Sequence, residues 1–335
     1  MKNDFELAKR FWTTDPNRVC YNAFIDTDIA TEIVLSHFMG KNITLLRLSS
    51  GYCNTVYKVF VSGESCSFIL KFFTRDPSTC RLEADVIEYL SKDIPVPKIL
   101  VSCYANTPIP YVIYEWVEGE TLDTLLNSCC ESDTEQAGFE VGVILAKLTF
   151  HHLGNCGLFG EKLKIKTEIY SYPDLCIDFI LQIIEQDHIF YEVKKNIRST
   201  LKKAAYLLFE PTFIPCLVHG DFRGANIIIR KIHGRWRVAA IIDWEWSFAG
   251  IPLVDVGCLL RPESRYRLAF ASSLSKGFDS EGVKLHKHWY KIAKLLDLAH
   301  LCRIASATTR PYTTRALAVQ LIKNTLVEVG GNLIY

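Results

Sequence analysis

Residues 217–246 read LVHGDFRGANIIIRKIHGRWRVAAIIDWEW. Two apolar, largely β-branched runs, Ile227-Ile228-Ile229 and Val238-Ala239-Ala240-Ile241-Ile242, flank Gly234, the pattern of two antiparallel strands joined by a tight turn. A two-residue loop at Gly234-Arg235 suits a type II′ turn, which wants glycine first. That register sets Asn226 opposite Asp243 at the open end of the hairpin, and Asp221 lies on the loop feeding the same end. Each of these residue types is common in turns, but all three at this spacing bring two carboxylates and an amide oxygen together. Such hard oxygen donors suit Mg2+ better than zinc or copper. Mg2+ keeps several waters and shares its shell with substrate phosphates, so the constellation points to phosphoryl transfer.

Outward from this stretch, a length of 335 residues implies two lobes on the usual prior of ~100–200 residues per domain. With 49% hydrophobic and 22% charged residues the chain can bury enough apolar surface to be globular. A formal net charge of +1 offers no global field for nucleic acid or an anionic membrane. The start, Met1 to Glu6, mixes charges of both signs and leads into no apolar signal core, and no run approaches ~18 apolar residues. A cytoplasmic protein without nucleic-acid or membrane partners is the expectation. The twelve cysteines are scattered without a C-x-x-C pair and read as reduced core thiols. His151-His152 with Cys156 falls one ligand short of a zinc site.

The first third reads as strands with one helix inserted. Residues 43–50, 54–61 and 67–73 form a three-stranded meander, 79–92 a helix with Leu82, Val86 and Leu90 at helical spacing, and 98–104 and 111–117 two further strands. Glu118-Gly119-Glu120 breaks the pattern, which places a boundary between residues 1–117 and 118–335. From Thr121 to about Phe209 the apolar spacing is mostly helical, with turn signals near Gly154, Gly157 and Gly160. No internal repeat or low-complexity tract is present.

Lys71 closes the third strand, where an ammonium could reach nucleotide phosphates or simply be solvated. Glu83 shares a helix face with Ile87 and Leu90 that turns toward the core edge, and a carboxylate so placed needs a partner, for which Lys71 is the candidate. The loop Ser49-Ser50-Gly51-Tyr52-Cys53-Asn54 lies between two strands, where backbone N–H groups could cap phosphates.

From Ser49 to at least Leu260 the sequence resembles the aminoglycoside phosphotransferase and choline kinase superfamily. His219-Gly220-Asp221-x4-Asn226, Ile242-Asp243-Trp244-Glu245 and Gly250-Ile251-Pro252-x2-Asp255 carry the resemblance. It implies an α+β, bilobal, protein-kinase-like fold: a small β-rich N-lobe with one main helix, then a larger, mainly helical C-lobe. It further implies Asp221 as catalytic base, Asn226 and Asp243 as Mg2+ ligands, Asp255 as the anchor of the catalytic loop and an architectural His219. ATP or GTP would be the donor. Ser50, Gly51 and Asn54 belong to a short phosphate-capping loop, and Lys71 with Glu83 to the phosphate-positioning pair. Tyr114-Glu115-Trp116-Val117 resembles the interlobe hinge, spanning about 114–118, where the backbone of Glu115 and Val117 would pair with the purine edge. The same segment also suits an ordinary edge strand.

Glu245 suits either support of the metal site or a solvated strand end, and Arg223 either a phosphate or substrate contact or a structural ion pair. For the acceptor, charge divides the second lobe. Residues 119–190 hold twelve acidic against four basic residues, which would suit a polycationic aminoglycoside. Residues 251–335 hold twelve basic against six acidic. Arg261, Arg265, Tyr266, Arg267, His288, Trp289 and Tyr290 there would accept a neutral sugar or an anionic metabolite, or merely solvate helix faces. The expected partners are a nucleotide and a hydroxylated small molecule, whether antibiotic, amino alcohol or sugar; neither the acceptor nor the oligomeric state follows from charge or periodicity. The alternative is a non-catalytic, pseudokinase-like nucleotide-binding module, against which Lys71, Glu83, Asp221, Asn226 and Asp243 are all present. A protein kinase is disfavoured, because no Arg precedes Asp221 and no Asp-Phe-Gly or Ala-Pro-Glu follows.

Overall fold

The structure, a computed structural model, describes residues 25–48, 54–105, 107–211, 213–261 and 267–331. Its first region is a five-stranded antiparallel sheet in the order β1-β2-β3-β5-β4, made of β1 (Ile43–Leu48), β2 (Thr55–Val61), β3 (Phe68–Phe72), β4 (Ile99–Cys103) and β5 (Tyr111–Glu115). Helix α1 (Thr27–His37) precedes the sheet and α2 (Thr79–Leu90) interrupts it. Period-two alternation gives the sheet two apolar faces. On one, Tyr57, Val59, Leu70, Phe72 and Ile113 pack with Ile25, Ala30 and Val34, the last two on α1. On the other, Val112 and Tyr114 join Val86, Ile87 and Leu90 of α2 in a core continuous with that of the second region. The strands and helix expected between residues 43 and 117 therefore form, each within about two residues of its expected ends.

The second region starts with β6 (Glu120–Thr121), α3 (Leu122–Ser128) and α4 (Glu131–Thr149). Residues 156–169 depart from the helical expectation, forming β7 (Cys156–Phe159) and β8 (Ile165–Ile169). In β8 the alternation Ile165, Thr167, Ile169 has the period of a strand, so Gly154 and Gly160 flank a strand, with Gly157 inside it, instead of ending a helix. Helices α5 (Tyr172–Gln186) and α6 (Lys194–Ala204) follow, then β9 (Cys216–Val218), β10 (Ile227–Ile232), β11 (Arg235–Ile241) and β12 (Phe248–Gly250). Strands β8-β7-β12-β9 make a four-stranded sheet, and β11-β10-β6 a three-stranded one. The chain then continues through α7 (Leu253–Leu259), α8 (Arg267–Ser280), α9 (Trp289–Ser306) and α10 (Tyr312–Gly330). Helices α4 and α8 approach at Gly138, Gly142 and Gly277, where a Cβ would collide with the facing backbone. No helix among the described residues is long and apolar enough to cross a membrane.

The hairpin turn lies one residue earlier than expected. His233 and Gly234 are its central residues, at φ 49° and 79°, and Ile232 faces Arg235. Positive φ at both positions is the type I′ pattern, whose twist matches the flanking strands better than the single positive φ of type II′. The shift is half undone by a bulge: Ile229 faces Val238 but Ile228 faces Ala240. Ile242 N–H then donates to Asn226 O at 3.0 Å, so Asn226 faces Ile242 and not Asp243. Asp243 follows in left-handed conformation at φ 69°, which swings it out of the strand at the same open end.

Candidate active site

A cleft of about 1540 Å³ is lined by residues from the five-stranded sheet, α2, the β10–β11 hairpin and α9. On its sheet side Lys71 projects from β3 and Glu83 from α2. The Lys71 ammonium lies 2.7 Å from Glu83 Oε2, 2.6 Å from Asp243 Oδ1 and 3.5 Å from Glu245 Oε2. Tyr114 OH donates to the other Glu83 oxygen at 2.5 Å. Burial alone would lower the Lys71 pKa, but Asp243, Glu83 and Glu245 outweigh it and hold the ammonium well above its ordinary value. Burial would likewise raise Asp243, yet Lys71 holds it below the usual carboxylate range.

Three carboxylates around one ammonium leave surplus negative charge, and Glu245 carries the consequence. Burial pushes it up to about 7; Lys71 opposes, Asp243 and Glu83 add to the rise, and the hydrogen bond from Asn54 opposes. Glu83 is also pushed up by burial against the pull of Lys71. Lys71 and Tyr114 both donate to Glu83, whereas Glu245 accepts from Asn54 and lies 3.5 Å from the Lys71 ammonium.

The ligand atoms of Glu83, Asp243 and Glu245 lie within 4.8 Å of one another, a grouping able to hold a cation. The Lys71 ammonium already takes the face between them. A divalent ion fits on the cleft face instead, at Asp243 and Asn226. Asn226 spends its Nδ2 on Asp221, 2.9 Å from the carbonyl and 3.4 Å from Oδ2, which leaves its amide oxygen as the donor. The surplus negative charge and the hard oxygens both fit Mg2+.

The loop that presents Asp221 is held from below. Asp255, in the first turn of α7, accepts from the backbone amides of His219 at 2.7 Å and Gly220 at 3.0 Å. Burial pushes its carboxyl up to about 7 against the pull of those two bonds. Gly220 sits at φ 80°, and a Cβ there would strike the carbonyl of Trp246, so the turn requires glycine. His219 is wholly buried, and its Nε2 lies 2.9 Å from the Ile242 carbonyl. A carbonyl only accepts, so Nε2 carries the proton and Nδ1 is free to accept from Asp221 N–H at 3.2 Å. Burial keeps this imidazole below its ordinary pKa and therefore neutral. It ties the loop to the segment that follows β11, with its Nε2 proton engaged by the Ile242 carbonyl.

Of the residues expected at the site, Lys71, Glu83, Asn54, Glu115, Val117, Asp221, Asn226 and Asp243 all line this cleft. Ser50 and Gly51 lie outside the described residues, as do Arg265 and Tyr266. Asn54 donates its Nδ2 to Glu245 at 2.6 Å, so its side chain positions that carboxylate. Glu245 is 5% exposed, which removes the reading as a solvated strand end. Arg223 Nε lies 3.2 Å from Asp221 Oδ2. In the hinge segment Glu115 N–H donates to Lys98 O at 2.9 Å.

Toward the acceptor the expectations need correction. Arg267 pairs with Glu328 at 2.6 Å, the Tyr290 hydroxyl donates to Glu328 at 3.0 Å, and Trp289 is buried. These three support the packing of the C-terminal helices, and of the named basic and aromatic residues that are described only Arg261 lines the cleft. Arg75, His300, Arg303 and Arg310 line it without having been expected. The spacing of Asp297, His300 and Arg303 along one helix face was the available signal. His151 pairs with Asp93 at 3.1 Å, and His151, His152 and Cys156 form no metal-binding group among the described residues. The ten described cysteines are free, but Cys66 and Cys130 are exposed and so are not core thiols.

A family model described as "Phosphotransferase enzyme family" matches residues 44–286. No curated protein matches the sequence significantly. Among solved structures, the GDP and kanamycin complex of APH(2")-IIIa superposes with a TM-score of 0.67 at 14% identity, covering 89% of this chain and 98% of that one. A thermostable mutant of the aminoglycoside phosphotransferase APH(4)-Ia, in ternary complex with AMP-PNP and hygromycin B, superposes at 0.63 and 17% identity, covering 90% and 99%. At these identities the likeness concerns the fold, which is the kinase-like α+β arrangement.

Proposed function

We propose that this chain, which belongs to the phosphotransferase enzyme family and to the aminoglycoside phosphotransferase and choline kinase superfamily, transfers the γ-phosphoryl group of ATP or GTP to a hydroxyl of a small molecule. The observation that carries this reading is the convergence on one cleft of the Lys71–Glu83 ion pair, the carboxylate of Asp243 and the Asp221–Asn226 loop. Residues 1–117 serve as the nucleotide-binding lobe and 118–335 as the catalytic and acceptor-binding lobe. In the hinge, the Glu115 carbonyl and Val117 amide meet the purine edge. Lys71 turns its ammonium to the α- and β-phosphates, kept charged by Glu83. Asn226 and Asp243 hold Mg2+, which when bound neutralises charge on the phosphate oxygens.

Asp221 orients the acceptor hydroxyl. As its oxygen bonds to phosphorus, the bond to the nucleoside diphosphate breaks and the hydroxyl proton passes to Asp221. The transition state is loose, so the proton becomes acidic only late and a weak carboxylate base suffices. Arg223, against Asp221, fixes the carboxylate's orientation.

The test is a nucleotide-consumption screen with ATP and GTP across aminoglycosides, other hydroxylated antibiotics, amino alcohols and sugars. Acceptor-dependent consumption is expected in the native protein. It should fall by ~10²–10⁴-fold in Asp221→Ala, with Mg-nucleotide binding retained. Transfer undiminished in that variant would contradict the assignment of the base.

A further inference from the structure

Helix α2 carries Glu83 on the face that it buries. Cys80, Glu83, Val86, Ile87 and Leu90 are buried, and Glu83 holds the Lys71 ammonium at 2.7 Å. Arg81 and Asp85 stand two residues to either side of Glu83, which puts them ~200° round the helix, on its outer face. That face is covered by the second region. The tip of the β7–β8 hairpin, residues 161–163, lies on it: Asp85 Oδ2 accepts from Lys162 N–H at 2.9 Å, and Arg81 Nη1 meets Glu161 Oε1 at 2.6 Å. The Arg81 guanidinium also lies 5.4 Å from the ring centroid of Tyr104, in the connection between β4 and β5.

The tip is shaped for this contact. Lys162 and Leu163 both take left-handed conformation, at φ 52° and 55°. Residues with a side chain hold that conformation only where their surroundings over-determine it. Here Gly160 N–H closes the tip on Lys164 O at 2.7 Å, Leu163 packs against the main core, and Asp85 takes the Lys162 N–H that the turn presents. The two polar contacts are unequal. The Glu161 side chain is 76% exposed, so water screens its pair with Arg81. Asp85 is 16% exposed in its side chain and accepts from a backbone group, a charge-assisted bond of fixed direction.

Apolar burial is non-directional, so by itself it does not fix the roll of α2 about its own axis. A directed bond on the opposite face does, and that roll decides whether the Glu83 carboxylate meets Lys71. We infer that Asp85 is a positioning residue for phosphoryl transfer: by pinning the 161–163 tip to α2 it keeps Glu83 on Lys71, and Lys71 on the phosphates of the nucleotide. This rests on the phosphotransferase reading and adds to it a residue that acts from behind the helix. It also gives the β7–β8 hairpin a part in the reaction, as the strap by which the second region holds the phosphate-positioning pair of the first.

The experiment is a double-mutant cycle on the full chain, read as affinity for Mg-AMP-PNP and Mg-GMP-PNP by calorimetry, at a temperature where circular dichroism shows every variant folded. Asp85→Ala should weaken binding ~5–20-fold in the native background, and by less than about twofold in the Glu83→Gln background, where the pair it positions is already broken. Asp85→Asn keeps an oxygen to accept from Lys162 N–H and should restore most of the loss. A contact that only stabilised the fold would lower the melting temperature without this dependence on Glu83. Binding unchanged in Asp85→Ala, no recovery in Asp85→Asn, or an equal fall in both backgrounds, as direct contact with the ligand would give, would each overturn the inference. If Asp85→Ala does not fold, Glu161→Lys carries the cycle from an exposed position, setting like charge against Arg81. A ~2–4-fold fall is then expected in the native background alone, and no fall, or the same fall in both, would contradict the strap. If the native protein binds neither Mg-nucleotide, the phosphotransferase reading fails and the inference with it, a result distinct from binding that ignores Asp85.

Discussion

The two sides of the cleft are charged in opposite ways. On the sheet side, Glu83, Asp243 and Glu245 surround a single ammonium, and the excess appears as a carboxyl, Glu245, pushed up to about 7. On the C-terminal side Arg75, Arg223, Arg261, Arg303 and Arg310 line the cleft, and burial, with Arg310, Arg261 and Arg75 adding to it, pushes Arg303 down to about 10. The surplus on the sheet side has the sign that a divalent cation would correct. Asp221 stands between them, 20% exposed in its side chain and fixed by Arg223.

The comparison breaks most readily at Lys71. Lys71→Met leaves three carboxylates without their shared cation, and truncating one partner of a buried pair costs ~3–5 kcal/mol. A large fall in chemical-denaturation stability is expected, partly recovered near pH 5, where the carboxylates can protonate. An unchanged midpoint would show that the cluster is not held by its ammonium.

Glu245 gives a smaller effect with a definite sign. Its folded pKa of about 7 lies above the unfolded value of ~4.3. Between those values the unfolded chain has released a proton that the folded chain retains, so stability falls as pH rises from ~4.3 to ~7 and is flat above. Asp255, also pushed up to about 7, acts in the same direction. Glu245→Gln should therefore reduce the slope by part without abolishing it, as read from urea midpoints across that range. A slope identical to the native protein's would place the retained proton elsewhere.

The smallest effect sharpens the comparison by its sign. Arg303→Gln removes one of several like charges, so the stability of the ligand-free protein should stay level or rise by up to ~1 kcal/mol. A loss comparable to that of Lys71→Met would mean that Arg303 is a structural partner.

How much of this was legible in sequence follows from how local each signal is. The five-stranded sheet and α2 were readable because alternation and helical spacing act over a few residues. Lys71 and Glu83 could be paired in advance because a carboxylate on an inward helix face needs a cation nearby. The hairpin was readable but its turn was not: Gly234 takes the second central position, and His233 accepts positive φ, a conformation that a non-glycine residue seldom announces. The bulge at Ile228–Ile229 then restored half of the alignment, so Asn226 and Asp243 share an end by a route that differs from the expected one. Strands β7 and β8 are short and join a sheet with β9 and β12 through the pairing of Gly157 with Ala249, a tertiary pairing that a local pattern does not encode. The cationic side was the least legible. Arg75, Arg223 and the neighbouring Arg303 and Arg310 come from three distant segments, and only the folded chain brings them to one cleft.

The central claim, that Asp243 and Asn226 present a nucleotide's metal to Asp221, is tested most directly by titrating AMP-PNP and GMP-PNP into the native protein and Asp243→Ala by calorimetry, at several Mg2+ concentrations. Binding to the native protein should strengthen steeply with Mg2+, and the variant should lose that dependence. A magnesium dependence unchanged in Asp243→Ala, or absent from both proteins, would contradict the account.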